Sequence, residues 1–297
     1  MLKNVKKIRN LEEIIMRKLL ELEIHDVIEQ IELVINYIND NNSVLTVAGN
    51  LGQKDCFALN SLLKDRIEVD KPTKNMEQYP FIEFAYKIIS EMKIYDLQPV
   101  KSSKIQLVPN DLYEKFNELN EIEKYIIIIS IYFDKVDLKE LYNKTIVNIQ
   151  SCHKNIIKIL KEIIYLGNEK ICQNEKYKNE FGVLWKLFYS FKCLGLCKLE
   201  LTDNKDSKKL ISSLESTQLG KIIFRDIIKL NYLKVIFDIN DSSNSEFKIA
   251  PKGKYKIKSS SYSSSSIQVE TIVHTLLEIL ENDIDGKRLM NFIKIME

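Results

Sequence analysis

The sequence predicts a mainly α-helical protein carrying small β-hairpins. Two observations lead there. Only 8 Gly and 5 Pro occur in 297 residues, too little turn material for an all-β fold. The stretch from Phe181 to Phe224 also reads in order as helix, turn, strand, loop, strand and helix. In it, Phe181, Leu184, Trp185, Phe188 and Phe191 recur at helical spacing, and Gly195 stands where that helix should stop. Leu196 to Leu201 alternates loosely as a strand. Thr202-Asp203-Asn204-Lys205-Asp206-Ser207-Lys208-Lys209 is a polar loop, Leu210 to Leu214 is a returning strand, and Thr217-Gln218-Leu219-Gly220 opens a further helix.

The elements before this stretch follow from the same reasoning. Residues 5–22 carry Leu11, Ile14, Ile15 and Leu19 among charges, an amphipathic helix in need of a partner surface. A second helix over 26–39 places Ile28, Ile31, Ile35 and Ile38 largely on one side, and Asp40 to Ser43 supplies a turn. Gly49-Asn50-Leu51-Gly52-Gln53-Lys54 lacks the spacing of a phosphate-binding loop, so its glycines are expected to shape a turn before a helix at 54–63. Pro80 suits the first turn of a helix over 80–95, because its missing N–H would be unpaired there anyway. Ile105 to Val108 is a short strand, Pro109-Asn110-Asp111 starts a short helix, and 121–166 is helical with a turn near 134–137.

The order helix, strand, basic loop, strand, helix resembles the C-terminal half of a winged helix-turn-helix domain. It occurs more weakly once before, where Asn110-Asp111-Leu112 stands in place of Thr217-Gln218-Leu219-Gly220. The expected architecture is therefore mainly α with small β-wings: tandem winged-helix-like units plus terminal amphipathic helices. The boundaries are an N-terminal helix at 1–25, unit 1 at 26–120, unit 2 at 121–240, a basic strand and Ser-rich linker at 241–266, and a helical segment at 267–297.

The resemblance implies double-stranded DNA as partner, read by the third helix of each unit and gripped by the wing. In unit 2 that helix offers a polar stripe of Asn179, Lys186 and Ser190, and amide and ammonium groups can hydrogen-bond purine edges. Wing residues Lys205, Lys208 and Lys209 would neutralise phosphate. The third helix of unit 1 is a poorer reader, since Glu83 and Glu91 flank Lys87 and carboxylates are repelled by phosphate. Lys252, Lys254, Lys256 and Lys258 alternate with other residues, so on a strand they would share one basic face. Such an edge could meet nucleic acid or an acidic protein, and lysine also blunts a solvated edge strand.

Composition narrows the function further. With 44 basic and 42 acidic side chains the net charge is +2, which argues against coating nucleic acid through bulk charge. Five scattered cysteines and three distant histidines have no zinc-site spacing, so no metal is expected. No hydrolase, metalloprotease or dinucleotide-binding motif occurs, so an enzyme and a cofactor are not expected. The N-terminus lacks the apolar run of a signal peptide, and no stretch reaches the ~20 residues of a membrane helix, so a cytoplasmic protein is expected. The leading expectation is a non-enzymatic DNA-binding or transcription-regulatory protein. The alternative is a protein-interaction scaffold on the same fold without DNA contact. Ser259 to Ser266 reads as a flexible linker, followed by a helix with the apolar stripe Ile272, Val273, Leu276, Leu277, Ile279 and Leu280. That stripe packs either on its own chain or on a second copy, the latter giving a homodimer.

Overall fold

The computed structural model describes residues 2–100, 104–136, 149–165, 171–172, 181–182, 184–203, 209–229, 272–280 and 292. It is mainly helical with two small antiparallel sheets. The first helix, α1, runs from Leu2 to Asp40 without interruption. The break expected near residue 25 is absent. No Gly or Pro lies between residues 2 and 40, so nothing in the chain stops propagation. Leu20, Ile24, Ile28, Ile31, Ile35 and Ile38 line its buried side.

Unit 1 continues with β1 (Val44–Leu45), α2 (Gln53–Leu62), a 3-10 turn at Met76–Gln78, α3 (Pro80–Met92), β2 (Tyr95–Val100), β3 (Lys104–Pro109) and α4 (Asp111–Asn117). Pro80 sits at the start of α3 as expected. The glycine segment is a tight turn: Gly49 has φ +77 and donates its N–H to Thr46 at 2.9 Å, and Leu45 bridges Leu51. Strand β2 is not visible in the residue pattern, because it carries Pro99 and is exposed along most of its length. It is tolerated as the outer strand of the order β1-β3-β2, where only one side needs ladder partners.

Helix α5 (Glu121–Asp134) leads into unit 2, which contains α6 (Ile149–Tyr165), β4 (Ile171–Cys172), α7 (Trp185–Cys193), β5 (Cys197–Asp203), β6 (Lys209–Ser216) and α8 (Gln218–Lys229). Its sheet has the order β4-β6-β5, the same arrangement as in unit 1. The hinge between helix and hairpin recurs with the same backbone bond and equivalent side-chain bonds. Lys93 after α3 and Gly195 after α7 both take the left-handed conformation, with φ 55 and φ 72. Beyond them Ile94 and Leu196 are buried, and their carbonyls accept the N–H of Asn110 and Thr217, each at 3.2 Å. Asn110 Nδ2 donates to Lys93 O at 2.9 Å, and Thr217 Oγ1 donates to Gly195 O at 2.6 Å. Both residues then cap the helix after the hairpin, Asn110 accepting from Leu112 N and Thr217 from Gly220 N, each at 2.9 Å.

The two units share one core. Helix α5 is its centre, with Tyr125, Ile126, Ile127, Ile128, Ile129 and Tyr132 fully buried. Its neighbours are α1 and α3, and Tyr125 donates its hydroxyl to Leu194 O of unit 2 at 2.8 Å. Helix α1 also reaches unit 2, where the Glu23 carboxylate accepts the N–H of Gln218 at 3.1 Å and of Leu219 at 2.8 Å. One side chain from the first helix thus caps α8. A further helix, α9 (272–280), buries Ile272, Leu276 and Leu280 in this core, and Phe292 packs on the Phe116 ring at 6.0 Å. Ile272, Leu276 and Leu280 of the α9 stripe are thus covered by its own chain, while Val273 and Leu277 are half-buried and Ile279 is exposed.

Candidate nucleic-acid interface

Among its described residues, the third helix of unit 2 does not present a reading face to solvent. In α7, Leu187, Phe188, Tyr189, Ser190, Phe191 and Cys193 are buried, and only Trp185, Lys186 and Lys192 are partly exposed. Helix α3 packs against it. Lys186 Nζ donates to Glu83 Oε2 of α3 at 3.3 Å and lies over the Trp185 ring at 5.9 Å. Ser190 is 4% exposed and returns its hydroxyl to Lys186 O at 3.0 Å. Lys192 pairs with Asp65 at 2.6 Å. Lys186 and Ser190 of the polar stripe expected to read bases therefore lie at the seam between α3 and α7. Glu83, an obstacle to DNA on the sequence view, is held between Lys186 and Lys87. Helical spacing identifies which side of a helix is polar, but not whether that side meets water or a second unit.

Of the other expected residues, Asn179, Lys205 and Lys208 lie outside the described residues, as do Lys252, Lys254, Lys256 and Lys258. Lys209 opens β6 opposite Asp203, at the end of the ladder nearest the hairpin tip. Lys198 on β5 is exposed, with Glu215 at 4.0 Å.

A cleft of about 380 Å³ lies between α1 and unit 2. Glu23, Asp26, Lys64, Asp65 and Lys192 line it, with Phe81 and Tyr189 as apolar walls. Its charges already serve one another: Lys64 bonds Asp26 at 2.8 Å, and Lys192 holds Asp65. Burial raises the Glu23 carboxyl above its ordinary range, against the opposing pull of the two α8 N–H groups. Burial likewise pushes the Cys56 thiol up to about 12 and the Cys193 and Cys197 thiols well above their usual value. Thiols so placed stay protonated and are poor nucleophiles. Among the described residues no group of three or more His, Cys, Asp or Glu is placed to hold a metal ion.

Among the described residues, α6 carries a row of exposed positive charge. Lys154, Lys158 and Lys161 are exposed at spacings of four and three residues, opposite the buried Ile156, Ile159, Leu160 and Ile163. None of the three has an ion-pair partner among the described residues. They span about 10 Å of helix, against one phosphate charge per ~1.7 Å of duplex. Helix α8 packs along α6 and adds the exposed Arg225 and Lys229 at a four-residue spacing. The lysine spacing is legible in the sequence. What sets it apart among the described residues is the contrast with Lys64, Lys124, Lys186 and Lys192, each bound to a carboxylate.

Among the described residues, no helix is long and apolar enough to cross a membrane. Comparison with known protein families, curated proteins and solved structures finds no match to this chain.

Proposed function

We propose that this chain is a non-enzymatic DNA-binding or transcription-regulatory protein built from two winged-helix units, gripping duplex phosphate through α6 and α8. The observation that carries this reading is the row of exposed lysines 154, 158 and 161 on one helix face, without an ion-pair partner among the described residues. The repeated strand order and the repeated helix–hairpin–helix hinge support the winged-helix part. With Lys186 and Ser190 held in the seam between α3 and α7, the contact is to backbone phosphate and so tolerant of sequence.

The test is fluorescence anisotropy of a random-sequence duplex between about 50 and 200 mM salt. Binding should weaken steeply with salt. The triple substitution Lys154→Gln, Lys158→Gln, Lys161→Gln should flatten the log–log slope by about 2 to 3, the share of three phosphate contacts. Its circular dichroism and unfolding midpoint should not move, since all three side chains are solvated. Absence of binding at the lowest salt would sink the proposal.

Burial of α3 against α7 favours a second reading, a protein-interaction scaffold without DNA contact. On that reading the same titration shows no duplex binding, and the lysine variant loses a protein partner instead.

A further inference from the structure

We propose that the cleft between α1 and unit 2 binds a small, uncharged, mostly apolar molecule carrying a hydrogen-bond acceptor, such as an aryl ketone or carboxamide. Val27 and Gln30 of α1, Leu63, and Phe81 of α3 line it from unit 1, and Tyr189 of α7 and Leu199 of β5 from unit 2. Its volume of about 380 Å³ falls within the ~300–1,000 Å³ usual for small-molecule sites. An occupant would touch both units at once. The site is separate from the lysine row on α6, so it stands apart from duplex binding.

Tyr189 marks the cleft as a site. The residue is 9% exposed, yet its hydroxyl has no hydrogen-bond partner among the described residues. The groups that act on it electrostatically, Asp65 and Cys193, both line the cleft, which places the hydroxyl at this wall. Asp65 is already taken by Lys192 at 2.6 Å. Leaving a buried hydroxyl unpaired is costly, and an acceptor in the cleft would remove that cost. Burial raises the phenol pKa, so the group stays protonated and can donate. Gln30 offers a second donor. Its Oε1 accepts the N–H of Lys64 at 3.1 Å, and its Nε2 has no partner among the described residues. The remaining polar groups disfavour an ion. Lys64 pairs with Asp26 and Glu29, Lys192 with Asp65, and the two Glu23 oxygens hold N–H groups of α8. A charged ligand would have to displace one of these partners, whereas a neutral acceptor displaces none.

The test is methyl NMR of the full chain labelled at Val and Leu, titrated with acetophenone, benzoate and benzylammonium, which share one ring and differ in charge. Acetophenone should shift the methyl signals of Val27, Leu63 and Leu199 with a dissociation constant of about 1–10 mM, as fits a molecule of its size. The two ions should bind about 10-fold more weakly or not at all. Tyr189→Phe removes only the unbonded hydroxyl. It should weaken acetophenone about 3- to 10-fold, the worth of one neutral hydrogen bond, and leave the binding of benzene unchanged. Its unfolding midpoint should be no lower than the parent's. The proposal is overturned if acetophenone shifts no methyls or only those elsewhere, or if either ion binds as well as acetophenone. It is also overturned if Tyr189→Phe binds acetophenone like the parent, or if that variant is destabilised, which would assign the hydroxyl to the fold.

Discussion

Lys93 and Gly195 are structural counterparts, each the left-handed residue that turns a third helix into its hairpin. They differ in what surrounds them. A β-carbon on Gly195 would stand 2.9 Å from Val27 Cγ2 and 3.4 Å from Glu23 O of α1. Lys93 is exposed. Gly195→Ala should therefore cost about 1–3 kcal/mol in urea unfolding, from positive φ and overpacking together. Lys93→Gly should stay within about 1 kcal/mol of the parent, relief of the left-handed strain being set against a looser unfolded chain.

Gly220 answers to a different constraint. A β-carbon there would overlap the carbonyl of Leu196, whose oxygen also accepts the N–H of Thr217. Gly220→Ala should push α8 off the hairpin at a cost of about 1–3 kcal/mol. Chemical denaturation measures the loss, and amide exchange should show it concentrated in 196–229.

Glu23 joins the first helix to the start of α8, so Glu23→Ala should lose about 1–2 kcal/mol, as for any lost N-cap. Glu23→Gln keeps one acceptor oxygen and should lose less. The carboxyl is raised above 4.5 in the folded protein, chiefly by burial. Its contribution is thus greatest below that value and declines as pH rises through the folded pKa. A urea series from acid to neutral pH should show this decline in the parent and not in Glu23→Gln.

His25 and Glu121 tie α1 to α5 through a 2.8 Å hydrogen bond, which holds the imidazole pKa above 6.5. The pair's contribution is complete below 6.5 and disappears as pH rises through the folded value. Proton NMR should place the His25 titration above that of a free imidazole. In Glu121→Gln it should move down.

Lys186 separates a groove-reading helix from a seam. Lys186→Ala should lower stability by up to about 1 kcal/mol, because Glu83 then keeps only Lys87. Duplex affinity should stay unchanged, where a base-reading lysine would lose about 1–3 kcal/mol of discrimination. Parallel anisotropy and unfolding measurements check both halves of this expectation.

The sequence displays much of this fold and less of its surfaces. Phe181 to Phe224, Pro80 and the stripe of α9 are legible because each follows from spacing or from a residue with one local role. The continuity of α1 is less visible, since His25-Asp26 reads as a natural start when only apolar periodicity is followed. Strand β2 is hidden because an exposed edge with a proline has no alternation to detect. The site assignment suffers most. Lys186 and Ser190 have the chemistry of base readers, yet Glu83, 103 residues earlier, determines where Lys186 points. No local pattern encodes a partner that far away.

The bond from Leu219 to Glu23 also sets an order of events during synthesis. The two residues are 196 apart, and at about 5–20 residues per second Leu219 is made some 10–40 seconds after Glu23. Until residue 195 is made Val27 has no Gly195 to rest on, and until 219 is made the Glu23 carboxylate has no helix to cap. The first helix is thus finished by the second unit, and a nascent chain halted between residues 120 and 217 carries an uncovered apolar strip. Such an intermediate is a natural client for a chaperone, and premature termination there should yield aggregated protein instead of a stable half.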